Sequence, residues 1–207
     1  ITNMPLQRYP PAGMTGPVTV FSTDIYGYNG GMYVASASSS FSPIETHFRA
    51  FNYDSTTNAN ANYWTTPYAL YSSTSGAYLG ATSTIISGVI VLGEWLQIQL
   101  PVAIILNNYN IYTWATAVIR GPKDFRIAGS NDGITWTLVD SQTGITGYTT
   151  SGKSLSIANN TKAYSYYRLV IISIQNNNDA FASIMEWEIY GFPLYPYTNK
   201  LGSINNK

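Results

Sequence analysis

An all-β antiparallel sandwich is the fold the sequence predicts, and three observations carry the prediction. Apolar and polar residues alternate with a period of two in several segments between residues 94 and 190. No segment sustains the 3.6-residue period of an amphipathic helix, and strands do not alternate with helices. The alternating pieces are short and separated by polar turns, the spacing of a sandwich or barrel.

The elements follow in chain order. Residues 1–20 carry Pro5, Pro10, Pro11, Gly13, Gly16 and Pro17 and read as an extended N-terminal arm, because proline fixes φ and removes a backbone donor. The sandwich itself is expected over residues 21–192. Tyr28-Asn29-Gly30-Gly31 marks a first hairpin, and a weakly alternating strand follows from 33 to 37. Residues 52–63 read as a loop. Leu96, Ile98 and Leu100 share one strand face and Gln97 and Gln99 the other, with Pro101 expected to end the run. Residues 109–114 predict the next strand. Phe125 and Ile127 face in and Arg126 faces out; Ser130-Asn131-Asp132-Gly133 makes a turn, after which Trp136 and Leu138 resume the inward phase. Residues 166–174, rich in β-branched and aromatic side chains, form a long strand. Met185, Trp187 and Ile189 alternate with Glu186, Glu188 and Tyr190 in a last strand. Residues 193–207 read as a second extended arm, anchored by Tyr195 and Tyr197.

Composition narrows the function classes. A chain of 207 residues is long enough for one good core. Only 10% of residues are charged, against roughly 25% in ordinary domains, yet 18 Tyr, 7 Phe and 5 Trp argue against disorder. Lys plus Arg and Asp plus Glu both number 10, and no basic cluster occurs, so nucleic acid and anionic lipid are not indicated as partners. Near-zero net charge under a polar, uncharged surface favours self-association. The absence of Cys excludes disulfides and thiolate metal sites. The apolar stretch over residues 85–106 is broken by Ser87, Gly93, Glu94, Gln97, Gln99 and Pro101, which argues against membrane insertion as a helix.

The segment Lys123-Asp124-Phe125-Arg126-Ile127-Ala128-Gly129-Ser130-Asn131-Asp132-Gly133-Ile134-Thr135-Trp136, within residues 121–138, resembles the central signature of the discoidin (coagulation factor 5/8 type C) family. Arg49-Ala50-Phe51 with Trp64, the strand from 94 to 100, Tyr166-Tyr167-Arg168-Leu169, and Glu186-Trp187-Glu188-Ile189-Tyr190-Gly191 resemble further pieces of it, in the right order. The resemblance spans roughly residues 25–192. It implies an eight-stranded antiparallel jelly roll that is not catalytic and binds glycans, lipids or proteins through loops at one end. It also implies a structural calcium beside the early Ala-Phe-Asp-Gly motif and the closing Glu. Here Asn52 stands at the family's Asp position and Tyr53 at its Gly. Asp54, displaced in register, joins Glu186 and Glu188 as candidate calcium ligands, and weak or absent calcium dependence is expected. A narrower resemblance, carried by residues 9–14 and 31–40, is to capsid-associated proteins of large DNA viruses.

No catalytic set emerges. His47 is the one His, and no Gly-x-Ser-x-Gly elbow accompanies it. Glu186 and Glu188, two apart on one strand face, read as solvated or hydrogen-bonded carboxylates or as cation ligands rather than a glycosidase pair. Trp64 and Trp136 read as core. The candidate ligand contacts are the loop aromatics Tyr26, Tyr28, Tyr33, Tyr63 and Tyr68, because rings stack on sugar faces and make protein hot spots. The leading expectation is a structural, protein-binding module of a virion, with capsid proteins as partners. The alternative is a carbohydrate-binding module that meets glycans outside the cell or at its surface.

Overall fold

The computed structural model describes residues 5–22, 29–56, 62–114, 118–149, 151–175 and 179–194. The strands are β1 (Gln7–Tyr9), β2 (Val18–Phe21), β3 (Gly31–Ala37), β4 (Trp64–Thr65), β5 (Ser83–Ile86), β6 (Val89–Leu92), β7 (Glu94–Tyr112), β8 (Pro122–Ser130), β9 (Thr137–Gln142), β10 (Lys153–Ser156), β11 (Ala163–Ile174), β12 (Ser183–Ile184) and β13 (Glu186–Pro193). Helical structure among the described residues is limited to short 3-10 turns such as His47–Phe51. The fold is all-β, as the two-residue period requires.

β7 organises the sheet. Its first half pairs with β11 on one side (Trp95 with Val170) and with β3 on the other (Leu96 with Ala37). Its second half pairs with β13 (Ile111 with Trp187) and with β10 (Tyr109 with Leu155). β8 and β9 extend the first layer beyond β11, and β1 extends the second beyond β13. Between the halves the register against β11 slips at Tyr164/Tyr166. Pro101 lies in that irregular stretch, so the strand continues through a residue expected to end it. Proline is tolerated where the ladder is already interrupted. Gly31 is needed beside it, since a Cβ there would lie 2.5 Å from the Pro101 Cβ.

The two layers share one core. Leu96, Ile98, Phe125, Ile127, Tyr167 and Leu169 face it from the first layer, and Ile104, Tyr109, Ile111, Trp187 and Ile189 from the second. Tyr109 and Phe125 meet edge-on across it, with ring centroids 6.3 Å apart. Trp64 is fully buried, as expected, and donates its indole N–H to the Ser39 carbonyl at 2.8 Å.

The N-terminal segment is part of the sandwich, which corrects the expected arm over residues 1–20. β1 pairs with β13 (Arg8 opposite Tyr190), β2 pairs with β3, and Tyr9 and Met14 are buried in the main core. The Met14 amide donates to the Phe51 carbonyl at 2.8 Å. Pro10 and Pro11 follow β1, where no ladder donor is required. Burying Tyr9 and Met14 at roughly 1.5–3 kcal/mol for each large apolar side chain offsets the cost of ordering the segment. At the other end β13 runs through Pro193, and the Leu194 amide donates to the Ala103 carbonyl. Residues 195–207, with Tyr195 and Tyr197, lie outside the described residues.

Trp136 is buried but Leu138 is largely exposed, against the expected common phase. Trp136 precedes β9 and bridges Ile86 of the β5–β6 hairpin, which covers it, whereas Leu138 on β9 is left 44% exposed. Trp136 joins Ile86, Ala128 and Val170 in a small second core under the β5–β6 hairpin. There the Arg168 guanidinium is held between the Trp95 and Trp136 rings, 4.0 Å from each centroid.

Candidate functional site

Two clusters of chemistry-bearing side chains stand out, and the first contains the candidate calcium ligands. Glu186 and Glu188 share a face of β13 because residues two apart do so in any strand. That face is turned to Arg8 of β1. Arg8 Nη2 lies 2.7 Å from Glu186 Oε1, and Nη1 lies 2.8 Å from Glu188 Oε1. The Tyr53 ring covers the guanidinium, with its centroid 3.4 Å from Cζ. The Tyr53 amide donates to Glu186 Oε2 at 3.0 Å, and its hydroxyl donates to the Pro10 carbonyl at 2.7 Å. Asn110 Nδ2 and the Tyr190 hydroxyl donate to Glu188 Oε2 at 2.6 and 3.0 Å.

Glu186 is 1% exposed, and burial pushes its pKa up to about 8; Arg8 pulls it down and the Glu188 charge adds to the rise. The two carboxyl groups thus face a single guanidinium. Both glutamates are buried and hydrogen-bonded, so of the expected solvated or hydrogen-bonded carboxylates the structure shows the hydrogen-bonded kind. Asp54 does not join them as a ligand. Its Oδ1 accepts from the Thr56 amide at 3.0 Å and closes its own turn, and its Oδ2 accepts from Asn62 Nδ2. Among the described residues, no group of three His, Cys, Asp or Glu side chains converges. The set Asp54, Glu186 and Glu188 is thus corrected to a carboxylate pair already matched by an internal cation.

The expected tyrosine surface divides. Tyr26 and Tyr28 lie outside the described residues. Tyr33 is fully buried, edge-on to Phe21, with its hydroxyl donated to the Asn29 carbonyl, so it is a core residue and not a ligand contact. Tyr63 is nearly buried. Its ring stacks on Trp114 at 5.6 Å, and burial together with a hydrogen bond to Glu45 pushes its pKa up to about 12. Tyr68 alone of the described three is open, at 68% exposure, with its ring 5.2 Å from Phe181.

Tyr63 and Tyr68 belong to the second cluster. The Arg120 guanidinium lies between the Trp114 and Phe181 rings, at 4.6 and 4.7 Å, and its Nε donates to Asp179 Oδ2 at 2.6 Å. Phe41 meets Phe181 edge-on at 5.5 Å. Four connections supply these residues. The β4–β12 ladder brings two of them together, pairing Trp64 with Ile184 and Thr65 with Ser183. The Phe41 amide donates to the Thr65 carbonyl at 2.7 Å and fixes a third. Trp114 and Arg120 come from the connection between β7 and β8. The result is an open aromatic shelf, Phe41, Tyr68 and Phe181, beside an Arg–Asp pair whose charges cancel.

No protein-family model and no curated protein matches the chain. Solved structures do. CBM32-3 from a family 31 glycoside hydrolase of Clostridium perfringens superposes with a TM-score of 0.55 and 18% identity, over 76% of this chain and 90% of that one. The family 32 carbohydrate-binding module of C. perfringens NanJ, solved with galactose, gives 0.54 and 17%, over 76% and 93%. Chitosan-binding module 1 of a Paenibacillus sp. IK-5 chitosanase/glucanase gives 0.51 and 21%, over 76% and 93%. This chain shares the β-sandwich fold of these three modules. At these identities the likeness is one of architecture, and it agrees with the discoidin signature read from residues 121–138.

Within this sandwich, sequence reasoning missed Phe41, Trp114, Arg120, Asp179 and Phe181. They are separated by up to 140 residues, and no local pattern links them. The one available signal was that Trp114 and Arg120 flank the turn leading into the signature strand β8. It missed Arg8 for the same reason, since Arg8 and Glu186 are 178 positions apart.

Proposed function

We propose that the chain is a non-catalytic module that binds a neutral glycan on the shelf formed by Phe41, Tyr68 and Phe181. The observation that carries this reading is an open group of rings set against hydrogen-bonding side chains, on a fold otherwise used by carbohydrate-binding modules. Ring faces accept the C–H face of a pyranose, and Arg120, Asp179 and Glu45 supply donors and acceptors for its hydroxyls. Arg120 is already neutralised by Asp179, so the shelf offers no uncompensated cation to an acidic sugar. A module of this kind works where glycans are displayed, outside the cell or at its surface. The virion reading rests on the sequence resemblance of residues 9–14 and 31–40, and the shelf does not add to it.

A glycan array followed by titration with galactose, read by tryptophan fluorescence, tests the proposal. Tyr68→Ala and Phe181→Ala are expected to weaken binding at least tenfold with an unchanged circular dichroism spectrum. Binding to no glycan, or full binding by both variants, would refute it.

A further inference from the structure

The β5–β6 hairpin has two apolar faces. Ile85 pairs with Ile90 and Ser83 with Leu92, which places Ile85, Ile90 and Leu92 on one side and Thr84, Ile86 and Val91 on the other. The second side is spent on the molecule itself, where Ile86 and Val91 pack on Trp95, Trp136 and Val170. The first side looks outward. Residues 136–138 abut the hairpin turn, because the Ser87 amide donates to the Trp136 carbonyl at 2.9 Å and the Leu138 amide donates to Ser87 Oγ at 3.0 Å, and Ile134 and Leu138 on either side of Trp136 are 82% and 44% exposed. Ile85, Ile90 and Leu92 on this side are between 51% and 68% exposed, and Val89, which pairs with Ile86 next to the turn, is 63% exposed. An apolar surface on one side of a strand is ordinary; aliphatic residues on both sides mark a surface that meets something.

The hairpin also lacks the devices that keep an exposed strand solitary. No Lys, Arg, Asp, Glu or Pro occurs in residues 83–93 or 133–139. β5 and β6 form a two-stranded sheet of their own, and β6 has β5 as its one ladder partner among the described residues. Monomeric proteins guard such edges with charge, proline or a bulge.

We propose that this face is an isologous contact with a second copy of the chain. Charge selects that occupant. The patch carries none, so a charged partner gains nothing from it. The whole chain has ten residues of each sign, so two copies approach without net repulsion. An antiparallel strand is also its own complement about a two-fold axis, so β6 can meet β6 with Ile90 facing Ile90. None of these residues belongs to the aromatic shelf, so association leaves that surface free.

Light scattering across the micromolar range, on wild type, Ile90→Lys and Val20→Lys, tests the proposal. Val20 is 71% exposed on β2 and serves as a control. Wild type and Val20→Lys are expected to be dimers, and Ile90→Lys a monomer with an unchanged circular dichroism spectrum. Because the chain has no cysteine, Ile90→Cys introduces a single thiol, which is expected to cross-link two copies under mild oxidation, whereas Val20→Cys is not. This second arm stands even if Ile90→Lys does not fold. A monomeric wild type, a dimeric Ile90→Lys, failure of Ile90→Cys to cross-link, or Ile90-dependent binding of monomers to phosphatidylcholine vesicles would each overturn the contact.

Discussion

Arg8→Met removes the guanidinium from the Glu186–Glu188 cluster while keeping most of the apolar stem. Two charge-assisted contacts at 2.7 and 2.8 Å disappear, and so does the stacking on Tyr53. The glutamates then lose their cation and keep only neutral donors, the Tyr53 amide on Glu186 and Asn110 and Tyr190 on Glu188. Removing one partner of a buried pair costs about 3–5 kcal/mol, and the retained donors place this case at about 3 kcal/mol. Urea melts at pH 7 measure it, with an unchanged slope confirming the same unfolding transition. In a Glu186→Gln/Glu188→Gln background Arg8→Met should cost far less, because no carboxylate is then left without its cation. Calcium should raise the melting temperature of Arg8→Met, which frees two carboxylates, and leave that of the wild type nearly unmoved. A loss under about 1 kcal/mol, or an equal loss in the double-Gln background, would refute the internal-cation account.

Two further outcomes follow from the same geometry and from the core. Glu186 has its folded pKa raised above the ordinary 4.5 to about 8, so the folded state holds the proton more tightly than the unfolded state. Its contribution is complete below about pH 4.5 and is lost as pH rises towards 8; Glu186→Gln should flatten that fall in stability between pH 5 and 8, and an unchanged profile would show that another group governs it. Phe125→Ala should cost about 3–5 kcal/mol in a urea melt because the ring is fully buried against Tyr109, while Arg126→Ala should cost about 1 kcal/mol for its bonds to the Phe125 and Gln142 carbonyls.

The elements legible in the sequence are those whose large apolar side chains recur at every second residue. Leu96/Ile98/Leu100, Phe125/Ile127 and Trp187/Ile189 all point into the core as their period demands. Where local pattern and tertiary demand diverge, reading fails for identifiable reasons. Pro101 looks like a stop because proline removes a donor, yet it sits where β7 passes between layers and the ladder has already slipped. β1 is three residues long and followed by two prolines, so nothing local distinguishes it from an arm. Tyr33 looks like a loop ring from its neighbours Asn29-Gly30-Gly31, but its strand phase turns it inward. The site is the least legible part, because Tyr63 and Tyr68 mark one loop while their companions arrive from three others.

β1 finds its partner at the far end of the chain, Gln7 opposite Gly191. During synthesis the first strand emerges when the last has yet to be made, and nearly two hundred residues must leave the ribosome before the second layer acquires its edge. Closure of that layer is a late, long-range step paid for in loop entropy before any contact rewards it. A chain that stalls short of β13 lacks both the strand that pairs with β1 and the two carboxylates that hold Arg8.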